Sequence, residues 1–460
     1  MVEEAEMKRK RADAPQLTVV YPNAAGIDVG GSQHFVCVPA DRDVEPVRSF
    51  GVFTVDLEAI ADWLKRSQIR QVALEATGVY WIPLFELLER RGFEVFLVNG
   101  RQTRQVTGRK SDVLDCQWIQ QLMMFGLLNA SFRPADRYCA LRAVVRLRAQ
   151  LIRDVVRAVL QMDKSLVQMN VQVGRLLADL GGQSGLAIIR AILGGERDGT
   201  RLACLCDPRV RTPQEEIAKS LVGNWRDEHL LALRLAVARH DLIQQQIAQC
   251  DLEIDRYVGE LQCSTQAAPA PRTAARTNKR HTAKAVERLR TLLYQAMRVD
   301  LTAIPSIEVD TALVLLSEIG ADLSRFPTSQ HFCAWLNLAP GTRISGGKRL
   351  GGAPKCSFNR AGEALKRAAV NLRHSQTFLG AAHRARLARM PKACAIKATA
   401  HQLARLIYAM VNNGQAYAER SLDQYEAEQR GKQIRQLQRR ASRLGLEVVD
   451  SARIAKSRAA

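Results

Sequence analysis

Residues 24–31 have the sequence AAGIDVGG, a short apolar run that carries one carboxylate, Asp28, and ends in a Gly-Gly turn. The run predicts a buried strand, and the SQHFVCVPA stretch that follows predicts its hairpin partner. Removing a lone carboxylate from water is costly unless that group is paired or holds a metal ion. Asp28 is therefore the first candidate for a functional residue.

The chain after this hairpin alternates between strand-like and helix-like patterns. VRSFGVFTV predicts a third strand and is followed by a helix at 56–67, the buried strand QVALEATG, a helix at 80–91 and the strand FEVFLVNG. SDVLDCQWIQQLMMFG predicts a helix with Ser111 as its N-cap and Gly126 just beyond its end. This alternation indicates an α/β domain over residues 21–135.

Three further acids accompany Asp28 in this domain. Glu75 ends the apolar run VALE, and Asp112 and Asp115 are three residues apart at the start of a helix, which places both on one face. Hard oxygen ligands drawn from different elements suit Mg²⁺, and two such ions can clamp the attacking and leaving oxygens of a displacement at phosphorus. One acid in a first helical turn is more often a cap, but the four together predict a Mg²⁺ site.

The rest of the chain is predicted to be mostly helical. Residues 136–262 carry apolar side chains at steps of three, four and seven, which predicts an antiparallel coiled-coil arm. Residues 263–285 are rich in Ala, Pro, Thr and Arg and predict a linker, whereas 286–415 predict a helical domain. Basic tails are expected at 1–20 and 416–460.

The charge of the chain indicates its class of partner. It has 67 lysines and arginines against 46 acidic residues, a net charge of +21 and a pI near 9.9. This excess favours nucleic acid, because each neutralised phosphate releases counterions. No stretch approaches the roughly 18–20 uninterrupted apolar residues of a membrane span, so no membrane partner is expected. Ten cysteines scattered without CxxC pairs indicate reduced thiols and a cytoplasmic location.

Residues 342–352, TRISGGKRLGG, combine four glycines with three basic side chains and one serine, Ser345. The nucleotide-binding motif G-x-x-x-x-G-K-[ST] is not met, because Gly347 stands where that motif has its lysine. The composition predicts a phosphate-binding loop. The residues alone favour binding of the DNA backbone over nucleophilic attack by Ser345 on phosphorus, because no His, Lys or Asp at a fixed spacing from Ser345 marks a general base.

Three segments of the first domain carry a family resemblance. GIDVGG, LEATGVYW and GRKSDVLDCQW resemble the Asp-Glu-Asp-Asp signature of ribonuclease-H-like (RuvC-like) domains, and more narrowly the DEDD transposases of bacterial insertion sequences. That family includes the bridge-RNA-guided recombinases, and the resemblance covers residues 24–415. It implies an α/β RuvC-like domain, a coiled-coil arm and a mostly α C-terminal transposase domain. It also implies that Asp28, Glu75, Asp112 and Asp115 coordinate Mg²⁺.

The second half of the chain extends the resemblance. NLAPGTRISGGKRLGGAPKCSFNRAGEALKRAAV is similar to the family's serine-containing loop, which implies that Ser345 forms a covalent phosphoserine link to DNA, with Ser357 as the rival serine. The resemblance further implies a guide RNA, dimers that assemble into a tetramer, an active site composed across domains, and a bacterial, nucleoid-associated location. The cations expected to contact nucleic acid are Arg109, Lys110, Arg343, Lys348, Arg349 and Lys355.

One segment departs from the family pattern. LTAIPSIEVDT resembles a helix–hairpin–helix, but Ser306 and Glu308 stand where such turns usually have glycines. Glycine adopts positive φ readily and other residues do not. The segment therefore predicts either a weakened phosphate-binding turn or a purely structural helical hairpin.

Two other functions remain open at the level of sequence. One is a structure-specific nuclease that uses only metal ions, like a Holliday-junction resolvase, in which Ser345 is structural. The other is an architectural DNA-binding protein with vestigial acids, which the presence of all four carboxylates disfavours.

Overall fold

The computed structural model describes residues 18–100, 102–103, 111–261, 283–341, 343–350, 358–419 and 421–446, with only the backbone of residues 283, 343, 344, 349 and 350. The chain forms two compact units, one that ends at Arg133 and one that begins at Pro134. The first is an α/β unit and the second is mostly helical, which confirms the α/β and helical parts of the predicted fold class.

The first unit contains one five-stranded mixed sheet. Its strands are β1 (Ala24–Val29), β2 (His34–Cys37), β3 (Val47–Phe50), β4 (Gln71–Glu75) and β5 (Glu94–Val98). They lie in the order β3-β2-β1-β4-β5. The hairpin-linked strands β1, β2 and β3 are antiparallel neighbours, whereas β1, β4 and β5 are parallel. The sheet therefore places β1, the strand of Asp28, at its centre.

Helices cover both faces of this sheet. They are α1 (Thr54–Arg66), α2 (Trp81–Arg90) and α3 (Asp112–Met124). Ile27 and Val29 share a core with α1 and α2, whereas Ala24 shares one with Ile119 and Met123 of α3. Alternate residues of a strand point to opposite faces, so Ala24, Gly26 and Asp28 belong to the face that α3 covers.

The observed helices and strands adjust three predicted boundaries. The third strand ends at Phe50 and does not reach Val55, because Phe53 is the N-cap of α1 and its N–H donates to Asp56 Oδ2 at 3.0 Å. Helix α2 is one residue shorter at each end than predicted. For α3, the structure confirms Ser111 as N-cap, with its hydroxyl accepting from Leu114 N, and Gly126 follows the helix with a φ of 67°.

Helix α3 approaches β1 closely at Gly26. A Cβ at this position would lie 2.3 Å from Gln120 N and 2.4 Å from Cys116 O, both backbone atoms of the helix. The side chain of Gln120 also donates to Ala24 O at 3.3 Å. Only glycine permits this separation, so Gly26 sets how near the first turn of α3 comes to the end of β1.

The second unit begins with two long antiparallel helices, α4 (Asp136–Gln168) and α8 (Asp227–Glu260). Arg148 near the start of α4 forms an ion pair with Asp251 near the end of α8. At the opposite end, Met162 and Leu233 lie in one core. The predicted antiparallel helix pair is thus present, and its coiled-coil character stays a prediction.

Three shorter helices complete that core between α4 and α8. They are α5 (Gln183–Leu193), α6 (Gly199–Ala203) and α7 (Gln214–Ser220). Ile188, Leu202 and Ile217 contribute one buried side chain from each.

The remaining elements follow the long helices. They are α9 (Ala283–Met297), α10 (Val309–Ile319), α11 (Ser329–Trp335), β6 (Arg343–Ser345), β7 (Lys348–Leu350), α12 (Arg360–Asn371), α13 (Phe378–Leu387), α14 (Lys392–Asn413) and α15 (Leu422–Arg443). Arg146 of α4 binds the buried carboxylate of Glu318 in α10 through two bonds of 2.8 and 2.6 Å. This bidentate pair ties the long-helix arm to the helical region.

The turn before α10 differs from its sequence-based expectation. Ser306 adopts a φ of 73° without being glycine, and its hydroxyl has no hydrogen-bond partner among the described residues. The helical hairpin therefore forms despite the missing glycines.

No helix in the described ranges combines the length and apolar content that a membrane crossing requires.

Candidate active site

Asp28 is the only acid in β1 and lies on the sheet face covered by α3. It is half-buried, between the buried residues Ile27 and Val29. Because Gly26 on the same face allows the helix to pack closely, Asp28 lies near the first turn of α3.

Glu75 ends the neighbouring parallel strand β4. Ile27 and Leu74 are paired in the sheet, so Asp28 and Glu75 are the next residues along two adjacent strands. The Glu75 carboxylate is held at one side, since Thr103 Oγ1 donates to Glu75 Oε2 at 2.6 Å. A Cβ at Gly100 would lie 2.4 Å from Glu75 Oε1, so glycine makes room for the other oxygen.

Thr103 is itself fixed through its neighbour in the sequence. The side-chain amide of Gln102 forms two hydrogen bonds with the backbone of Asn129. It donates to Asn129 O at 3.2 Å and accepts from Asn129 N at 2.9 Å. Gln102 N also donates to Asn99 O at 2.8 Å. These three bonds fix Gln102, the residue that precedes Thr103.

Asp112 and Asp115 occupy the first turn of α3. Asp112 is exposed and Asp115 is half-buried. Ser111 caps the helix, so neither aspartate is needed as the cap. The positive end of the helix dipole partly offsets their charge.

The four carboxylates share one electrostatic environment. The pKa of Asp28 is raised to about 6, first by burial and then by the charges of Asp112, Asp115 and Glu75, against the Val29 backbone bond that lowers it. Within the described part of the chain, no lysine, arginine or histidine forms an ion pair with any of the four. As far as the described residues go, the cluster is therefore a concentration of negative charge without a basic partner.

The donor set matches the preference of a hard divalent cation, because it offers only carboxylate oxygens. In the described ranges, however, no three His, Cys, Asp or Glu side chains are grouped closely enough to hold one ion.

Ser345 belongs to the second unit and lies on a β-hairpin, where the sequence predicted a loop. It is the last residue of β6 and pairs with Lys348, the first residue of β7. Gly346 and Gly347 form the turn with φ values of 55° and 74°, the pair of positive values that a tight two-residue hairpin requires. Both glycines thus serve the turn, and Ser345 and Lys348 are exposed beside it.

The remaining predicted nucleic-acid contacts are only partly described. Arg109, Lys110 and Lys355 lie outside the described residues, as do the side chains of Arg343 and Arg349. Their roles stay predictions.

Three residues that position the acids were missed at the level of sequence: Gly26, Gln102 and Thr103. A glycine two positions before the acid of a buried strand was a usable sign of close helix packing. Thr103 gave no such sign, because its partner is 28 residues away in the sequence.

Two family models match the chain. Residues 25–171 match the DEDD transposase model named for IS110, and residues 299–379 match the model described as transposase of the IS116/IS110/IS902 family. The first range contains all four acids and the second contains Ser345. The two matches support an IS110-type DEDD transposase and indicate an enzyme of DNA recombination. They confirm the resemblance and fit the typical use of a divalent metal ion in DEDD transposases.

None of the curated proteins compared with the chain matches it.

The repulsion at Asp28 predicts an unusual pH dependence of stability. The pKa of Asp28 is about 6 in the folded protein and 3.8 ordinarily, so the folded state binds the extra proton between these values. Stability contributed by this proton is lost as pH rises from about 4 to 6. We expect Asp28→Asn to be more stable than the wild type by about 1–2 kcal/mol at pH 8, with the difference vanishing towards pH 4.

Urea unfolding in EDTA at several pH values measures this difference. Asp41→Asn, at an exposed aspartate of the same unit, is the matched control and should show no such gain. If Asp28→Asn were less stable than the wild type at pH 8, this would contradict the inferred destabilisation of the ionised Asp28 by burial and its acidic neighbours.

The bond from Thr103 predicts a second effect, on metal use. Hydrogen-bond partners that orient ligating carboxylates typically contribute about 10- to 100-fold to metal affinity or activity. We expect Thr103→Val, which keeps the shape and loses the donor, to raise the Mg²⁺ concentration for half-maximal DNA cleavage at least about tenfold. Thr103→Ser keeps the donor and should behave like the wild type. A lowered Mg²⁺ requirement in Thr103→Val would instead mean that Thr103 holds Glu75 away from the metal.

Proposed function

We propose that this transposase cuts and rejoins DNA through a covalent phosphoserine link at Ser345, with Mg²⁺ held by Asp28, Glu75, Asp112 and Asp115. The observation that carries the proposal is the cluster of four carboxylates on one face of the sheet, which has no basic partner among the described residues and lies within the range that matches a DEDD transposase. The sheet unit would then be the ribonuclease-H-like nuclease core that the DEDD signature implies.

The proposed reaction proceeds in two displacements at phosphorus. In the first, Ser345 Oγ loses its proton and bonds to phosphorus, while the DNA sugar oxygen leaves and takes up a proton. In the second, a sugar hydroxyl of another strand bonds to the same phosphorus and the serine oxygen leaves and is reprotonated. The phosphodiester energy is retained in the Ser345 ester, so rejoining needs no ATP.

Lys348 is placed to assist this serine. Side chains of directly paired residues in an antiparallel hairpin lie on the same face, with Cβ atoms about 4.5–5.5 Å apart. Lys348 pairs with Ser345 and is exposed, so its ammonium group can neutralise charge that develops on the phosphate.

In the proposed reaction, the four acids would act on the same phosphate as Ser345. Mg²⁺, when bound, offsets the charge of the reacting phosphate and lowers the pKa of a bound oxygen. Glu75 would join this set with its carboxylate oriented by the Thr103 hydroxyl. The active site would therefore be composite, with acids and serine drawn from different units and, we propose, from different subunits.

A denaturation-resistant protein–DNA adduct tests the proposal. With duplex DNA carrying the element's ends and Mg²⁺, we expect the wild type to form an adduct that Ser345→Ala abolishes. Asp28→Asn should also lose it, whereas Ser357→Ala, at the rival serine, should retain it. EDTA should prevent adduct formation.

Other outcomes identify the alternatives. Cleavage without an adduct, unchanged in Ser345→Ala, would contradict the serine mechanism and indicate a metal-only nuclease of the resolvase kind. DNA binding with neither cleavage nor adduct would indicate an architectural protein.

We also propose that a bridge RNA from the element guides the enzyme, that dimers pair into tetramers, and that the enzyme works beside the bacterial nucleoid. Arg435, Arg439 and Arg443 line one face of α15, a helix that buries none of its residues, and this basic face suits a polyanion. Leu160 of α4 and Leu235 and Leu242 of α8 are exposed apolar side chains that favour self-association of the arm.

The purified full chain allows the proposed RNA guidance and the proposed assembly to be checked. We expect it to carry an RNA encoded by the element, identified by sequencing, and to have the mass of a dimer or tetramer by light scattering. A monomer free of nucleic acid, with adduct formation intact, would contradict guidance and assembly without affecting the serine mechanism.

A further inference from the structure

The segment that follows Glu75 is exposed along its whole length. Ala76 to Tyr80 are all exposed, and the side chains of Val79 and Tyr80 retain 66% and 53% of their accessible surface. The next residue, Trp81, instead packs against the core of the sheet. Tyr80 is therefore an aromatic side chain in solvent within five residues of an acid of the site.

The ring of Tyr80 rests on two glycines. A Cβ at Gly31 would lie 3.4 Å from the Tyr80 ring, and one at Gly78 would lie 3.6 Å from it, both ordinary contact distances. Gly31 belongs to the loop after β1 and Gly78 to the loop after β4, the strands of Asp28 and Glu75. The ring thus lies across the loops that follow both acids.

The turn that carries Tyr80 is held by its own hydrogen bonds. Tyr80 N donates to Thr77 O at 3.3 Å, and the Trp81 indole donates to Gly78 O at 3.2 Å. Among the described residues, nothing bonds to the Tyr80 hydroxyl. The ring is therefore supported on one side and open on the other.

The charge of the site limits how DNA can be held there. The four carboxylates repel the phosphates of an approaching strand wherever no cation offsets their charge, and the uncharged ring of Tyr80 offers a phosphate no attraction. Base–aromatic stacking carries no net charge and tolerates any sequence, because every base has a π-face. An open aromatic face beside an acidic cluster is therefore suited to a base and not to a phosphate.

We infer that Tyr80 stacks on an unpaired nucleobase of the DNA strand whose backbone enters the four-acid site. This inference rests on the proposed function, which brings DNA to that site. The base must have one face free of stacking, as a base of an unpaired strand can, because both faces of a base inside a duplex are covered by its neighbours.

Photo-cross-linking tests the contact directly. The probe is a single-stranded oligodeoxynucleotide of thymidine and 5-iododeoxyuridine, bound to the full-length Ser345→Ala variant in Ca²⁺ so that no covalent adduct forms. We expect irradiation to cross-link the tryptic peptide of residues 71–90 at Tyr80, as located by mass spectrometry.

Two substitutions separate stacking from mere apolar contact. Tyr80→Phe keeps the ring and should retain the cross-link at position 80 together with wild-type affinity. Tyr80→Leu keeps an apolar side chain without a π-face, and it should lose the cross-link and weaken binding about fivefold or more by fluorescence anisotropy. Equal affinities of the Leu and Phe variants, or cross-links only elsewhere, would overturn the inference.

The test is independent of the serine mechanism. A Tyr80 cross-link in a protein that never forms the phosphoserine adduct would overturn the proposed function and support the base contact. If the wild-type protein forms the adduct normally but DNA affinity does not depend on the aromatic ring at position 80, only the base contact is overturned. Cross-linking of a 5-iodouridine RNA in place of the DNA probe would assign Tyr80 to RNA and also overturn the inference.

Discussion

The backbone of α3 lies directly against the backbone of β1 at Gly26, and the rest of the candidate site depends on this contact. A Cβ there would come within 2.3 Å of Gln120 N, so any other residue would push the helix away from the sheet. At this separation the capped first turn of α3 lies over the end of β1. Asp112 and Asp115 thereby come close enough to Asp28 to raise its pKa.

The same packing has an energetic cost. Burial and three neighbouring charges destabilise the ionised form of Asp28, and the described residues include no cation that offsets them. A fold selected only for stability would remove such a cluster, since most of its charge could be lost by single substitutions. Its presence in a DEDD transposase is consistent with a site whose charge is compensated by metal ions.

In the second unit, the glycines beside Ser345 have a different role from the predicted one. The sequence of the glycine-containing segment predicted a loop in which glycines and cations grip phosphate. In the structure, Gly346 and Gly347 supply the positive φ values of a hairpin turn, and this turn places Ser345 beside Lys348. Any contact with phosphate is therefore expected from side chains and not from the glycines, and the strand pairing makes Lys348 the direct neighbour of Ser345.

Local patterns in the sequence were sufficient for the helices and strands of the first unit and for proposing the four acids as a site. Alternation and apolar runs predicted the α/β unit, Ser111 was recognisable as a cap, and the four carboxylates stood out because burying a charge is costly. These properties depend on residues within a few positions of one another. The contact of Gly26 with α3, the bond from Thr103 to Glu75 and the support of Tyr80 by Gly31 instead join segments that are 28 to 94 residues apart or that meet across loops. Only the tertiary structure decided them, because the packing of one element on another is not encoded in the periodicity of either.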